Sequence, residues 1–331
     1  MSAENLHVGV IGATGAVGVE LINVMFDRKF PVGELTLFAS ERSAGKTVET
    51  KFGTKTVALF SVEEAKQCDI VFLAVSGDFA KEYAPQIAEG AVVIDNSSAF
   101  RLNDDVPLIV PEINGDLAKT AKLIANPNCT TAIAAVALWP LHQAFGLKKV
   151  IVSTYQAASG AGQPGMNELR EGLAAGLEGK PVPAEVFAHP LAFNVIPHID
   201  SFLDDGFTKE EWKMTVETKK ILDPSIELVA HCVRIPVFIG HSEAVFIETD
   251  KPMTEKGFRD LLREAPGVTV IDHRANEGYV TPHECAGEDA VFISRIRKDP
   301  TVENGMVFWC VSDNLRKGAA LNSVQIAELV A

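Results

Sequence analysis

Cys129 stands in the run Asn126-Pro127-Asn128-Cys129-Thr130-Thr131, a polar turn that leads directly into an apolar helical stretch. A thiol at that position meets the partial positive charge of a helix start, which favours the thiolate, and the backbone N–H groups there can hold an oxyanion. An isolated cysteine between a strand and a helix reads as a small buried hydrophobe, but the polar turn points instead to a nucleophile. Cys68, Cys232, Cys285 and Cys310 have no such surroundings. A thiol nucleophile needs a proton partner, and His241, following Gly240 at a break in the run Arg234 to Ile247, is the best placed of the eight histidines. His189 and His198 flank a proline-containing segment, and His273 and His283 read as loop residues.

Charged residues offer four further candidates. Arg234 lies seven positions before His241, on what reads as the same strand and turn. Glu217 and Lys220, three apart, share a face of a predicted helix, where a solvated salt bridge is the plainer reading. Arg101, in DNSSAFR, follows a predicted strand end, the edge where open α/β sheets bind ligands, although a loop arginine fits as well.

A second constellation is the glycine run GATGAVG, with Gly12, Gly15 and Gly18 between a β-branched strand and an amphipathic segment. Bare backbone there lets a dinucleotide pyrophosphate approach and meet a helix N-terminus. The spacing is GxxGxxG, so a tight glycine-rich turn is the competing reading. The next strand, ELTLFAS, runs into Ser40, Glu41, Arg42 and Ser43. Arg42 among hydroxyls suits a 2′-phosphate and hence NADP, while Glu41 keeps NAD open.

The elements that must position these groups follow from periodicity. LHVGVIG, VGVELINVMF, ELTLFAS, DIVFLAV, AKEYAPQIAEG and AVVIDNS alternate β-rich and helical runs, the rhythm of βαβ units on a parallel sheet. Leu108 to Val110 and Lys122 to Ala125 are further candidate strands. From Lys148 the pattern becomes longer alternating runs (VIVSTYQA, HCVRIPVFI, EAVFIETD, VTVID, MVFWCVSD) separated by helices, which predicts an α+β domain with a largely antiparallel sheet. NLRKGAALNSVQIAELV reads as a final helix.

Bulk numbers narrow the classes. At 331 residues, two domains are expected. A composition 47% hydrophobic and 22% charged is globular, and no apolar run is long enough to cross a bilayer. The net charge of -14 argues against nucleic acid or an anionic membrane as partner. Five scattered cysteines without a CxxC pair argue against a disulfide framework and a zinc site, and the opening MSAENLHVGVIG lacks the pattern of a secretory signal, so a cytoplasmic enzyme without a metal is expected.

GATGAVG, FASERSAGK, DNSSAFR, NPNCTT, YQAASGAG, AFNVIPHID, ETKKIL, VRIPVFIGHSE and DNLRKGAALN together resemble the aspartate-semialdehyde dehydrogenase family end to end, in its shorter, bacterial-type branch. The resemblance implies an α/β fold: a Rossmann-type NADP-binding domain of residues 1–128 with 314–331, and a catalytic domain, 129–313, whose sheet forms a homodimer interface. It implies that Cys129 attacks L-4-aspartyl phosphate, with His241 as acid/base and Gln156 orienting the substrate, and that NADPH reduces the thioester to L-aspartate 4-semialdehyde on the route to lysine, threonine and methionine. Arg101, Asn128 and Lys220 would grip phosphate, Arg234 the α-carboxylate and Glu217 the ammonium. Gly12 and Thr14, Gly15, Ala16 and Val17 would meet the pyrophosphate, Ser40, Arg42 and Ser43 the 2′-phosphate, and Ser159, Gly160 and Asn314 the nicotinamide. Two rivals are N-acetyl-γ-glutamyl-phosphate reductase, whose acetylated substrate would leave Glu217 without purpose, and a catalytically silent NADP-binding paralogue, against which Cys129, Gln156 and His241 speak.

Overall fold

The structure, a computed structural model, describes residues 5–331. It divides into two compact units: one runs to Asn128 and resumes with Ala319–Ala331, and the other is Cys129–Gly318.

The first unit opens with β1 (Leu6–Ile11), α1 (Ala16–Asp27) and β2 (Val32–Ala39). A hairpin of β3 (Thr47–Thr50) and β4 (Gly53–Thr56) leads to the short β5 (Ala58–Leu59). Then come α2 (Val62–Ala65), β6 (Ile70–Leu73), α3 (Gly77–Ile87), β7 (Val92–Asp95), α4 (Pro111–Asn114) and β8 (Leu123–Ala125). Six strands form an all-parallel sheet in the order β5-β2-β1-β6-β7-β8. All four residues of β6 are buried, as expected for a strand covered on both faces.

Leu108 to Val110 are not a strand. Leu108 makes only an isolated bridge to Ala125, because Pro107 and Pro111 bracket the segment and the Asn114 side chain takes its polar groups, donating to the Leu108 carbonyl and accepting from the Val110 N–H.

The second unit begins with α5 (Cys129–Phe145), nearly all of whose first turns are buried, followed by β9 (Leu147–Gln156) and α6 (Gly162–Leu177). After α7 (Lys209–Ile221) come β10 (Glu227–Arg234), β11 (His241–Thr249), α8 (Glu255–Arg263) and β12 (Val268–Val270). Then follow α9 (Pro282–Cys285), which carries His283, β13 (Val291–Lys298) and β14 (Gly305–Ser312). The sheet order is β10-β9-β11-β14-β13-β12, antiparallel through the centre, with a parallel pair at each edge. It is therefore mixed, and the alternating pattern of its strands does not reveal which neighbours run parallel.

A π-turn, Arg316–Ala320, precedes α10 (Leu321–Val330), which returns to the first unit and adds Leu321, Val324, Ile326 and Ala327 to its core. The boundary falls at Ala319, after the expected 314. Asp313 accepts from the N–H groups of Leu315 and Arg316, Gly318 N–H donates to the Asp313 carbonyl, and Arg316 pairs with Asp289, which ties 314–318 to the second unit.

Candidate active site

Three strands of the second unit bring its polar groups together. The parallel register sets Arg234, the last residue of β10, beside Gln156, the last of β9, while His241 opens β11 on the other side of β9, opposite Ser312. Arg234 and His241 thus lie on different strands, joined by a loop; Pro236 and Gly240 break the run that reads as continuous in sequence.

The Gln156 amide is fixed at both ends. Thr154 Oγ1 donates to its oxygen at 2.9 Å, and its nitrogen donates to Glu210 Oε1 at 3.0 Å. Arg234 Nη1 donates to the Ala157 carbonyl at 2.6 Å, and the Ala157 N–H donates to His241 Nδ1 at 3.0 Å. Burial pulls the Arg234 guanidinium below its ordinary range, while the charges of Glu210 and Cys129 draw it back up. Burial, with help from Arg234, holds His241 well below the usual histidine range, so the ring is neutral at neutral pH.

Ser159, Gly160 and Asn314 gather beside these groups. Asn314 Oδ1 accepts from Ser159 Oγ at 3.0 Å and from Gly240 N–H at 2.9 Å. A Cβ at Gly160 would stand 2.7 Å from Arg234 Nη1 and 3.4 Å from His241 Nε2, so only glycine leaves room there. Gly318 is similarly required, since a Cβ would fall 2.8 Å from that of Cys129.

Cys129 is the first residue of α5 and is partly accessible, whereas the other four cysteines are buried. Burial pushes the thiols of Cys68 and Cys285 up to about 12, and it raises those of Cys232 and Cys310 as well. Only Cys129 joins accessibility to a helix N-terminus.

The acidic partner of Gln156 is a residue that sequence reasoning missed. Glu210 is buried, and Lys213, at 13% side-chain exposure, lies 3.4 Å from it and 2.6 Å from Asp200. The α7 start is fixed by a capping box between Thr208 and Glu211, and Glu211 Oε1 also accepts from the Cys232 N–H of β10, which presses this turn onto the sheet. Glu217 is buried two turns further along and Lys220 is exposed; neither is brought to Gln156. The two acid-base pairs have identical spacing, so spacing alone could not choose between them.

Below the row Arg234, Gln156, His241 runs a second one: Cys232, Thr154, Glu243, Cys310. Glu243 is fully buried, neither of its oxygens has a hydrogen-bond partner among the described residues, and burial raises its pKa well above 4.5.

In the first unit, Gly12 has φ +85°, and a Cβ there would sit 2.2 Å from the Ala74 carbonyl oxygen; one on Gly18 would sit 2.3 Å from the Gly12 carbonyl oxygen. The loop is therefore bare, with Thr14 and Gly15 exposed and Ala16 and Val17 half-buried at the start of α1. The turn after β2 holds Ser40, Arg42 and Ser43, with the Ser43 N–H donating to the Ser40 carbonyl and Arg42 exposed. Gly12 N–H bonds the Phe38 carbonyl of β2, so both loops leave the same edge of the sheet. Arg101 is buried, donating through Nε to the Asn126 carbonyl at 2.8 Å and through Nη2 to that of Asn96 at 3.0 Å. Asn128, also buried, precedes Cys129.

Residues 7–121 match the family model for a semialdehyde dehydrogenase NAD binding domain, and 138–317 that for a semialdehyde dehydrogenase dimerisation domain. The chain is 50% identical to the aspartate-semialdehyde dehydrogenase of Aquifex aeolicus over 98% of its length and 97% of the relative's, and 46% identical to that of Bacillus subtilis with the same coverage. The crystal structure of aspartate semialdehyde dehydrogenase II complexed with ASA from Vibrio cholerae superposes with a TM-score of 0.94 at 44% identity, covering 98% of each chain.

Proposed function

The chain belongs to the aspartate-semialdehyde dehydrogenase family, oxidoreductases with a dinucleotide-binding domain, and from that premise we propose that it reduces L-4-aspartyl phosphate to L-aspartate 4-semialdehyde through a thioester on Cys129. One observation carries the reading: buried Arg234 and Glu210 flank Gln156, and the Arg234 charge reaches Cys129. A free amino acid carries a carboxylate and an ammonium, so a cation and an anion fixed beside a nucleophile suit it.

In this reading Arg234 takes the α-carboxylate and Glu210, in place of Glu217, the ammonium. Gln156 orients the acyl group, His241 serves as the acid/base partner, and Arg101, Asn128 and Lys213, in place of Lys220, receive phosphate. The acetylated substrate of N-acetyl-γ-glutamyl-phosphate reductase has no ammonium, and a buried Glu210 carboxylate would then face an amide without a positive charge.

The Gly12 and Gly18 turn fits a pyrophosphate, because the two glycines pack backbone directly on backbone, where any Cβ would clash, and so bring the loop into the N-terminus of α1. Gly12, Thr14, Gly15, Ala16 and Val17 would hold it, Ser40, Arg42 and Ser43 the 2′-phosphate, and Ser159, Gly160 and Asn314 the nicotinamide. When bound, NADPH supplies the hydride that reduces the thioester carbon. The NADP-binding domain is then 1–128 completed by α10, and the remainder is the catalytic domain.

A homodimer is part of the reading. Val229, Ile151 and Phe246 are register neighbours across β10, β9 and β11, each more than a third exposed, and make an apolar row on one face of the second sheet. Such a row suits a self-complementary contact. A cytoplasmic place in lysine, threonine and methionine synthesis completes the proposal.

The test is an assay with L-aspartate semialdehyde, phosphate and NADP, run beside N-acetyl-L-glutamate semialdehyde and with the Cys129→Ala variant. The expected result is activity on the first aldehyde alone, abolished in the variant, whose circular dichroism is unchanged. Turnover by Cys129→Ala at the parent rate removes the covalent mechanism.

A further inference from the structure

The buried stripe of α6 is Gly165, Glu168, Leu169 and Gly172, the spacing of a helix face packed inward. A carboxylate in such a row needs donors around it. Glu168 finds three, all of them backbone. Its Oε2 accepts from the Glu185 N–H at 2.7 Å and the Val186 N–H at 2.6 Å, and its Oε1 from the Phe187 N–H at 3.2 Å. Residues 185–187 belong to no helix or strand, and Glu185 and Val186 are exposed, so these N–H groups have no ladder to enter. One buried side chain of α6 therefore fixes the course of an otherwise irregular segment.

That segment carries an aromatic ring inward. Phe187 packs on the cluster of Ala158, Leu169, Leu191, Ala192 and Ile196, and Gly165 keeps the helix side open, since a Cβ there would stand 3.0 Å from Phe187 Cζ. The Arg234 guanidinium lies over the same ring, its Cζ 5.7 Å from the ring centroid. Two further contacts hold Arg234: Nη1 donates to the Ala157 carbonyl at 2.6 Å, and its main chain exchanges hydrogen bonds with Ile196 of the same cluster. An aromatic face attracts a cation but takes none of the hydrogen-bond donors in the guanidinium plane. The ring thus holds and desolvates Arg234 while leaving those donors for a carboxylate. An acidic side chain in its place would also hold Arg234, but would neutralise it.

We propose that Phe187 is a positioning residue for the α-carboxylate of the substrate, acting through Arg234, and that Glu168 sets it in place by gathering the three N–H groups. The proposal rests on the assignment of the α-carboxylate to Arg234. Without the ring, water reaches one face of the guanidinium and the side chain regains rotamers, which weakens its pairing with a carboxylate. The α-carboxylate takes no part in the bond changes at the far carbon, so the loss falls on binding and appears in KM.

The test is steady-state kinetics with L-aspartate semialdehyde, phosphate and NADP. Phe187→Leu keeps apolar cover but removes the ring face. It should raise the KM for the semialdehyde about tenfold, with kcat and the KM for NADP within about twofold of the parent. An unchanged semialdehyde KM, or an equal rise in both KM values, overturns the proposal. In an Arg234→Lys background the same change should cost less than about twofold in kcat/KM. An equal cost in both backgrounds shows that the ring does not act through Arg234, and overturns it as well. Hydrogen exchange of the full chain, read by mass spectrometry over residues 185–187, checks Glu168. The three amides should be protected in the parent and exchange at least about a hundredfold faster in Glu168→Ala, whose semialdehyde KM should rise as in Phe187→Leu. Fast exchange in the parent, or a parent KM in Glu168→Ala, removes Glu168 from the proposal. Each variant is assayed below its own melting temperature, which separates loss of fold from loss of Arg234. The carboxylate reading fails separately, if Arg234→Lys alone leaves the semialdehyde KM unchanged.

Discussion

Glu210 and Glu217 occupy one helix, seven positions apart, and differ in what they touch. Glu210→Gln keeps the size and hydrogen-bonding capacity but removes the charge, so kcat/KM for the semialdehyde should fall by about 10²-fold or more, a loss on the scale of a charged hydrogen bond and its electrostatic partner. Glu217→Gln should cost much less in kcat/KM, and equal losses in steady-state assays would return Glu217 to the site. Glu243 makes a different prediction. Its pKa is raised on folding, so the folded state holds the proton more tightly, and stability is full below about 4.5 and declines as pH rises through the elevated folded value. Glu243→Gln should therefore match the parent in thermal melts near pH 4.5 and melt higher at neutral pH; a lower melting temperature at neutral pH would mean that the carboxylate has a stabilising partner. The settings of Cys129 and His241, a polar turn before an apolar helix and a break after Gly240, were legible in the sequence, and Gln156 came only with the family resemblance. Glu210 was not legible, since its identity rests on a hydrogen bond to a residue 54 positions away.

At the scale of elements, the glycine loop and the first helix were legible because glycine is the one residue whose absence of a side chain can be read as a steric instruction. Gly18→Ala drives a methyl into the Gly12 carbonyl, so it should cost about 1–3 kcal/mol of stability and raise the KM for NADPH more than that for the semialdehyde. A thermal melt and two saturation curves check it, and an unaltered NADPH KM would move the cofactor away from this loop. The strands of the second sheet were legible by alternation, but their directions were not, because two parallel edges follow from crossovers that periodicity does not encode. Leu108 to Val110 misled for a local reason: an apolar triplet between two prolines has the composition of a strand, but the Asn114 side chain takes the Leu108 carbonyl and the Val110 N–H that a ladder would use.

At the scale of the whole molecule, the apolar row of Val229, Ile151 and Phe246 carries the association prediction. Ile151→Glu should convert a dimer to a monomer in analytical ultracentrifugation, because it would bury a charge without a partner at the centre of a self-complementary face. An unchanged sedimentation coefficient places the interface elsewhere. The division into two units was legible in outline from the change of rhythm near Lys148, whereas the handover at Ala319 depends on the Asp313 turn and on Arg316 reaching Asp289.

The return of α10 has its own consequence for how the chain is made. Asn322 donates from Nδ2 to the Ile109 carbonyl and to Asn126 Oδ1, and four apolar residues of the helix fill the core formed by β1, β6 and their neighbours. During synthesis the amino-terminal sheet must wait, its interior unfinished, while all of Cys129–Gly318 is translated. A ribosome stalled anywhere before Leu321 would display an open hydrophobic seam, and chaperone capture of such nascent chains should end once the last ten helical residues emerge.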